Sequence, residues 1–556
     1  MKKMKKNIYL IILLALTLGA VSCIKETVPV GGTVTDTQLQ KSDDPLGMKV
    51  GAITASLHRY NAAGYVSGYS FHGDFGLPAI HIMTDSMLED FVCCGSNNYN
   101  HFSNWASNRY QGQLYIYCAY FWDAYYSWIF AANNVIKSIE NPDSADEVSK
   151  NALGQAYAYR AAFYLDLARM YEPKPVQEGQ YKGYTLPDDI LKLTVPIVTE
   201  TTTEAQAKKN PRATRDTIYA FILSDLAKAE KYLAGSTDVL APSEAMVYGL
   251  YARTYLELGY ISDSEYDNDA FKKAQEYAEK AIKVSGTSAL TQAQWEDTAT
   301  GFNNSSSQNS WLWGIPVVSE SIGNLIQAIG WLSCEATWGY GSLVQFGASK
   351  SLYDKINEND FRKHSFLDPK GQKYYDYKLA GTADEIASFY KYTGDYASIK
   401  FRCKNGEIND YVTGGVGDYP LMRMEEMEFI KMEALARQHN LSAAKSALES
   451  FMKNRVTDGS YTCTAANEKA FIKEMLLQKR IEFWGEGILY FDYKRLNQSI
   501  TRGYTGSNYA ATQQFNTVGR SPEWNIVITR GEFQSNTGIT EALNNPDPSG
   551  VIPLWE

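Results

Sequence analysis

The chain has 556 residues, of which 44% are hydrophobic, 21% charged and 13% aromatic, so it is long enough for one large domain or two to three smaller ones and too apolar for global disorder. Its net charge of −10 argues against binding to nucleic acid, which needs clustered positive charge. Six histidines are too few to favour a histidine-based metal or acid–base centre. The 40 tyrosines, 22 phenylalanines and 11 tryptophans exceed the needs of a core, and such a surplus often lines a binding surface.

The first 22 residues are a predicted secretory signal peptide. Four lysines precede an apolar run at 8–20, which is too short to span a bilayer permanently, and small residues then lead to Cys23. Cys23 stands where a bacterial lipoprotein signal has its acylated residue, so it is the predicted lipidation site; an ordinary signal with a chance cysteine is the alternative. Residues 23–45 are predicted to be a flexible lipid-anchored tether, and 46–556 the folded domain.

Helical periodicity follows in eight segments. Apolar residues at steps of three and four predict amphipathic helices, with Thr214 and Ser243 as candidate N-caps. The predicted helices cover 118–139, 153–171, 214–233, 243–259, 274–282, 424–437, 441–455 and 469–496. Short connections make neighbouring helices antiparallel, and Gly259-Tyr260 is typical of the turn in a tetratricopeptide repeat. We therefore expect a mostly α fold, with a scaffold of helical hairpins at about 110–285 and 420–500.

Two other regions, 65–105 and 286–420, are irregular and rich in aromatic residues and in glycine or asparagine. Loops of this kind on a rigid scaffold commonly form binding sites, because their exposed rings and polar side chains can both contact a ligand. The residues predicted to bind ligand are Asn97, Asn98, Tyr99, His101 and Trp105 in the first region and Trp331, Trp338 and Tyr340 in the second.

The last three of these residues lie beside Gly330, Gly339 and Gly341, which favours an exposed stacking platform; the alternative is that Trp338 is a structural anchor. By contrast, Trp122 and Trp128 lie within a helical stripe and are expected in the core.

Paired carboxylates raise the possibility of glycoside hydrolysis, which uses two of them. One group is Glu425, Glu426 and Glu428 and the other Glu482 and Glu486, and basic residues surround both, which favours structural ion pairs between helices. The acidic segment 263–269 alternates like a calcium loop but lacks its turn glycine and final glutamate, so a solvated loop without metal is expected. Common hydrolase and nucleotide-binding motifs are absent from the sequence. A non-catalytic protein without cofactor is therefore expected.

Five stretches in order along the chain together resemble the SusD/RagB family of Bacteroidetes outer-membrane lipoproteins. They are 121–136, 156–171, 216–233, 420–434 and 480–495. In the fourth, Pro420, Arg423, Glu426 and Glu433 are similar to a family signature, and the segment 360–362 fits a short Asp-x-Arg element.

The resemblance implies a lipid-anchored protein on the outer face of the outer membrane. Such proteins capture oligosaccharides and deliver them to a SusC-type TonB-dependent transporter. The implied SusD-like fold is mostly α-helical, with four tetratricopeptide-like hairpins and an irregular ligand-binding part, here the insert at about 286–420. Peptide capture with the same type of transporter is the alternative, and a surface glycoside hydrolase is a less favoured one.

Overall fold

The computed structural model of the chain describes residues 42, 44–60, 72–93, 101–297, 302–303, 310–319, 326–342, 346–368 and 394–556. These residues form eighteen α-helices and four short β-strands, which confirms the predicted mostly α-helical fold class. Within the same ranges, no helix combines the length and the apolar character needed to cross a membrane.

Nine helices and one strand precede the insert. They are α1 (Pro45–Ser56), α2 (Leu77–Asp85), β1 (Phe91–Cys93), α3 (His101–Ala106), α4 (Ile116–Lys137), α5 (Glu147–Tyr171), α6 (Glu204–Ala207), α7 (Arg215–Leu233), α8 (Glu244–Leu258) and α9 (Asn268–Ser285).

The long helices pack as successive antiparallel hairpins. Between α4 and α5, the rings of Trp128 and Phe163 lie 5.5 Å apart and Asn133 accepts a hydrogen bond of 2.6 Å from Arg160. Residue numbers therefore increase along α4 as they decrease along α5, so the two helices are antiparallel. Between α5 and α7 the same order holds, because Arg160 binds Asp225 at 2.7 Å and the ring of Tyr164 lies 5.4 Å from that of Phe221. The hairpin scaffold is therefore present as predicted.

Local sequence signals fix several helix ends. Thr214 caps α7 by accepting a hydrogen bond from the amide of Thr217, whereas Ser243 occupies the N-cap position of α8 without a side-chain bond. The acidic segment before α9 is structural, because Asp267 accepts from the first amides of that helix and Asp263 binds Arg520 at 2.7 Å. Residues 263–269 are all exposed, so the prediction of a solvated loop is confirmed, and two of its carboxylates also have structural partners.

The remaining elements include two strands that close the insert at its base. The strand β2 (Trp311–Ile315) pairs antiparallel with β4 (Tyr419–Arg423), which joins the two ends of the irregular region. The other elements in this half are α10 (Gln292–Glu296), α11 (Ala328–Leu332), β3 (Phe346–Ala348), α12 (Lys350–Tyr353), α13 (Tyr411–Gly414), α14 (Met424–Arg437), α15 (Leu441–Met452), α16 (Glu468–Glu482), α17 (Leu489–Arg495) and α18 (Arg530–Ser535).

The segment 469–496, predicted as continuously helical, is instead divided between α16 and α17. Gly485 and Gly487 between them have φ values of 78° and 73°, in the left-handed region that favours glycine. A Cβ atom at Gly487 would lie 2.2 Å from Cγ of His81, so that close approach also requires glycine.

Four acidic and four basic side chains form a buried cluster, here called the charge network. It joins the insert to the C-terminal helices, and every member is at most 5% exposed at its side chain. Its members are Asp360, Arg362, Lys400, Arg423, Glu425, Arg455, Glu482 and Glu486.

Glu482 lies at the centre of the charge network. Its carboxylate contacts Arg455 at 2.8 Å and both Arg362 and Arg423 at 3.2 Å. Burial alone would raise the pKa of Glu482, but Arg455 and then Arg423 hold it well below its usual range. The prediction that the two glutamate groups form structural ion pairs is confirmed.

We expect Glu482→Gln to lower the free energy of unfolding by about 3–5 kcal/mol, because it leaves buried guanidinium groups without their counter-charge. The matched control is Glu428→Gln, since Glu428 pairs with Lys431 at 3.2 Å with both side chains about a quarter exposed. That variant should lose less than about 1 kcal/mol. Urea unfolding and the yield of folded protein measure both, and equal losses would contradict the central role of Glu482.

Asp85, the last residue of α2, is a buried acid of a different kind. One carboxylate oxygen accepts a hydrogen bond of 3.1 Å from the amide of Gly487. Burial raises the pKa of Asp85 to about 8, although the Gly487 amide and the charge of Lys400 act in the opposite direction. The folded protein therefore keeps this proton in a pH range where the unfolded chain has lost it.

Between pH 4 and pH 8, the proton on Asp85 should make wild-type stability fall as pH rises, because the folded state binds more protons there. We expect Asp85→Asn to remove that dependence, so its stability relative to wild type should rise from pH 5 to pH 8 by up to about 1.4 kcal/mol per pH unit. Asp143→Asn, at a side chain that is 87% exposed, is the control. Urea unfolding at three pH values would refute the assignment if the two variants behaved alike.

Candidate ligand-binding site

A two-stranded ribbon brings the two aromatic-rich regions together. The strand β1 from the first region pairs antiparallel with β3 from the insert, with Phe91 opposite Ala348 and Cys93 opposite Phe346. Each strand has only three residues, yet the pairing fixes the register between segments more than 250 residues apart. The structure thus places His101, on α3, close to the segment around Tyr340.

Five rings from both regions form what we call the aromatic cluster: Phe75, Phe102, Trp331, Tyr340 and Phe346. Trp331 is central, with Tyr340 stacked on it at 4.1 Å and Phe102 meeting it edge-on at 4.8 Å. Phe346 and Phe75 contact Trp331 at 5.8 and 6.4 Å between ring centroids. Offset and edge-on pairs of this kind hold rings in fixed orientations.

A polar edge borders this cluster and consists of His72, His101 and Tyr340. The Tyr340 hydroxyl and Nδ1 of His72 are hydrogen-bonded, and the two histidine rings lie 6.1 Å apart. His72 is exposed and His101 is half-buried. Burial lowers the pKa of His101, and the neighbouring His72 lowers it further, so His101 is neutral at pH 7 and can both donate and accept hydrogen bonds.

Of the five residues predicted to bind ligand in the first region, the structure describes two, His101 and Trp105. Asn97, Asn98 and Tyr99 lie outside the described residues. His101 lies in the polar edge. Trp105 was expected at the ligand surface but is a core residue, because only 1% of it is exposed and its indole N–H donates to the carbonyl of Met83 at 3.0 Å.

The second-region residues do not form the exposed platform that the sequence suggested. Trp331 is 1% exposed, since the other rings of the aromatic cluster cover it. Trp338 is buried beside α13, where a Cβ atom added at Gly414 would come within 2.8 Å of its ring. Trp338 therefore has the position of a structural anchor. Tyr340 is also buried, at 5% exposed, and contacts His72 of the polar edge through its hydroxyl group.

The sequence interpretation missed His72 and the three phenylalanines of the aromatic cluster. His72 lies within the aromatic-rich region 65–105, so the composition of that region already indicated a binding role for its residues. Phe75 and Phe102 lie in the same region and Phe346 lies in the insert, but no spacing rule connects any of them to Trp331. Trp122 and Trp128 are buried on α4, as predicted for a helical stripe.

Two family models match the chain. One, described as starch-binding and associating with the outer membrane, matches residues 77–256, and the SusD family model matches residues 261–537. The chain belongs to the SusD/RagB family. The resemblance drawn from the five sequence stretches is therefore confirmed.

Solved structures share the fold along nearly their whole length. A SusD-like carbohydrate-binding protein from Bacteroides vulgatus is 19% identical, with a TM-score of 0.64 over 89% of this chain and 97% of its own. A SusD superfamily protein from Bacteroides thetaiotaomicron is 17% identical, with a TM-score of 0.65 over 90% and 99%. Surface glycan-binding protein A from the same species, solved with laminarihexaose, is 16% identical, with a TM-score of 0.62 over 90% and 99%. No curated protein sequence matches the chain.

Because Trp331 is buried, Trp331→Ala should lower the free energy of unfolding by about 3–5 kcal/mol, the usual loss for removing a large core ring. Trp555→Ala is the matched control, since Trp555 is 43% exposed, and it should lose much less. Thermal and urea unfolding compare the two. A Trp331→Ala protein as stable as the control would show that the ring is exposed in solution.

Proposed function

We propose that this protein is a non-catalytic, cell-surface lipoprotein that binds oligosaccharides and delivers them to a SusC-type TonB-dependent transporter. Membership of the SusD/RagB family and a fold shared with glycan-binding proteins support the proposal. The observation that carries it is the aromatic cluster with its polar edge, at the junction of two irregular regions.

The polar edge suits sugar hydroxyl groups. A neutral imidazole offers one donor and one acceptor, and the Tyr340 hydroxyl can exchange its bond with His72 for a bond to ligand. The rings behind the edge are held by their mutual contacts, so ligand binding would order few additional side chains. Such preorganisation lowers the entropic cost of binding.

The placement of the carboxylates supports binding without cleavage. Glu482, Glu486 and Glu425 belong to the charge network, and Glu426 binds Arg253 at 2.6 Å. Carboxylates held by arginine and buried away from solvent cannot flank a glycosidic bond. Within the described ranges, no group of three or more histidine, cysteine or acidic side chains is arranged to hold a metal ion.

Anchoring is proposed through Cys23, which lies outside the described residues. An acylated cysteine followed by the tether 24–45 would hold the domain 46–556 at the outer membrane. Because a single acyl chain binds a membrane only marginally, the several chains of a bacterial lipoprotein are what would make the attachment stable.

Capture is tested by titrating the protein with neutral hexasaccharides, including laminarihexaose and maltohexaose, and by analysing the same samples for released sugar. We expect binding without cleavage, and His101→Asn should weaken it about tenfold, or about 1.4 kcal/mol. His439→Asn is the matched control, because His439 is 82% exposed and asparagine tolerates its φ of 61°.

Released sugar would favour the hydrolase alternative, and binding of oligopeptides in place of sugars would favour peptide capture. Equal affinities of the His101→Asn and His439→Asn proteins would remove the polar edge from the site.

A further inference from the structure

A second concave surface, here called the α4 groove, runs along the outer face of α4. It has a volume of about 1230 Å³ and lies between α1 on one side and α6 and α18 on the other. It is distinct from the aromatic cluster, none of whose five rings lines it. The inner face of α4, which includes Tyr125 and Ile129, is buried in the scaffold.

A second apolar stripe on α4 forms the floor of the groove. Ala119, Trp122, Tyr126 and Phe130 follow one another at steps of three and four, so they share one face of the helix, and Tyr115 at its N-cap position lines the same groove. The eleven steps from Ala119 to Phe130 span about 16 Å at 1.5 Å per residue. The floor is therefore long and narrow.

The rings of this floor are held in place by bonds at their polar ends. The indole N–H of Trp122 donates to Glu532 of α18 at 3.2 Å, and the hydroxyl of Tyr126 donates to the carbonyl of Pro196 at 2.7 Å. At the two ends of the stripe, Tyr115 is 39% and Phe130 65% exposed. Trp122 between them is 4% exposed and belongs to the core, so the solvent-accessible rings are the two at the ends of this preorganised surface.

The rim is polar and almost balanced in charge. Four basic side chains and three acidic ones line it, and Lys208 pairs with Glu204 within this set. The uncharged polar side chains that line the groove include Ser56, Gln113, Ser127, Asn210, Gln534 and Ser535. Groups of this kind bind hydroxyls, and the near balance of charge selects no ionic ligand.

We propose that the α4 groove is a second binding site for a neutral oligosaccharide, separate from the polar edge. The inference rests on the proposed function, because it assumes that sugars are the ligand class. A floor of fixed rings beneath a rim of amides and hydroxyls has the chemistry that stacks on the faces of sugar rings and binds their edges. Its length fits a chain of several sugar units.

The shape of the groove favours a sugar chain over a protein partner. Protein interfaces of standard size are broad patches burying about 800 Å² on each side, whereas this surface is a groove along α4 between α1 on one side and α6 and α18 on the other. Its volume also exceeds the roughly 300–1,000 Å³ of a compact small-molecule site, as an extended ligand requires.

The test uses the lipoprotein purified in detergent, in four forms. They are the wild type, the groove variant Tyr115→Ala/Phe130→Ala, the edge variant His101→Asn and the control variant Tyr266→Ala. Tyr266 is an aromatic residue, 40% exposed, that does not line the groove. Laminarihexaose, maltohexaose and cellohexaose are titrated calorimetrically, which gives both stoichiometry and affinity. Melting temperatures confirm that the forms are folded, and co-purification from solubilised membranes reports any barrel partner.

For the hexasaccharide that binds, we expect two sites per wild-type chain. The groove variant should lose tenfold or more in affinity at one site, and the edge variant should lose the same at the other. Wild-type stoichiometry and affinity in the groove variant would overturn the second site and leave the proposed function intact. A groove variant that keeps its sugar affinity but loses a co-purifying barrel would also overturn it, in favour of a protein interface. If wild type bound none of the three sugars, the proposed function would fail and the second site with it.

Discussion

The charge network is the interaction on which the rest of the fold depends. Burying eight ionised side chains costs far more free energy than any single ion pair returns, so the arrangement is stable only when every partner is in place. Its members come from the insert, from the end of β4 and from three parts of the C-terminal helices. Arg362 and Lys400 therefore fix the insert only once Glu482 and Glu486 are positioned on and after α16. An irregular region with little periodic structure gains a defined position in this way.

The high aromatic content is used mainly for packing, and only a small part of it remains accessible. Trp331 is enclosed by four other rings, and on the scaffold Tyr251 and Tyr277 stack at 4.3 Å between α8 and α9. Such contacts orient rings as strictly as hydrogen bonds orient polar groups. A surplus of tyrosine and tryptophan is consequently a weak guide to individual binding residues, because the same ring geometry serves a core and a sugar site.

The sequence was sufficient for the scaffold because helices are encoded locally. The bounds of α14 agree with the predicted 424–437, and Thr214 was identifiable as a cap from its place before an apolar stripe. The loops were not predictable in the same way. Whether Trp331 is exposed depends on Phe75, Phe102 and Phe346, which no spacing rule connects to it, and on three-residue strands too short to show periodicity. The location of the candidate site followed from composition, whereas its geometry needed tertiary structure.

Helix α4 connects the two proposed sites physically. At its N-terminal end the hydroxyl of Tyr117 donates to the carbonyl of His101 at 2.7 Å, and Trp105 packs on Tyr117 and Phe121, so the helix holds α3 of the first aromatic region in place.

The outer face of α4 provides the floor of the groove, which begins at Tyr115, two residues along the chain from Tyr117. Because α4 packs against α1 and α5, it is a rigid support, and the spacing between the sites is set by helix geometry. A sugar chain long enough to reach from the groove to the polar edge would contact both sites at once. Two modest affinities on one rigid support give a higher combined affinity for long chains than for short ones, since the second contact is made at high effective concentration.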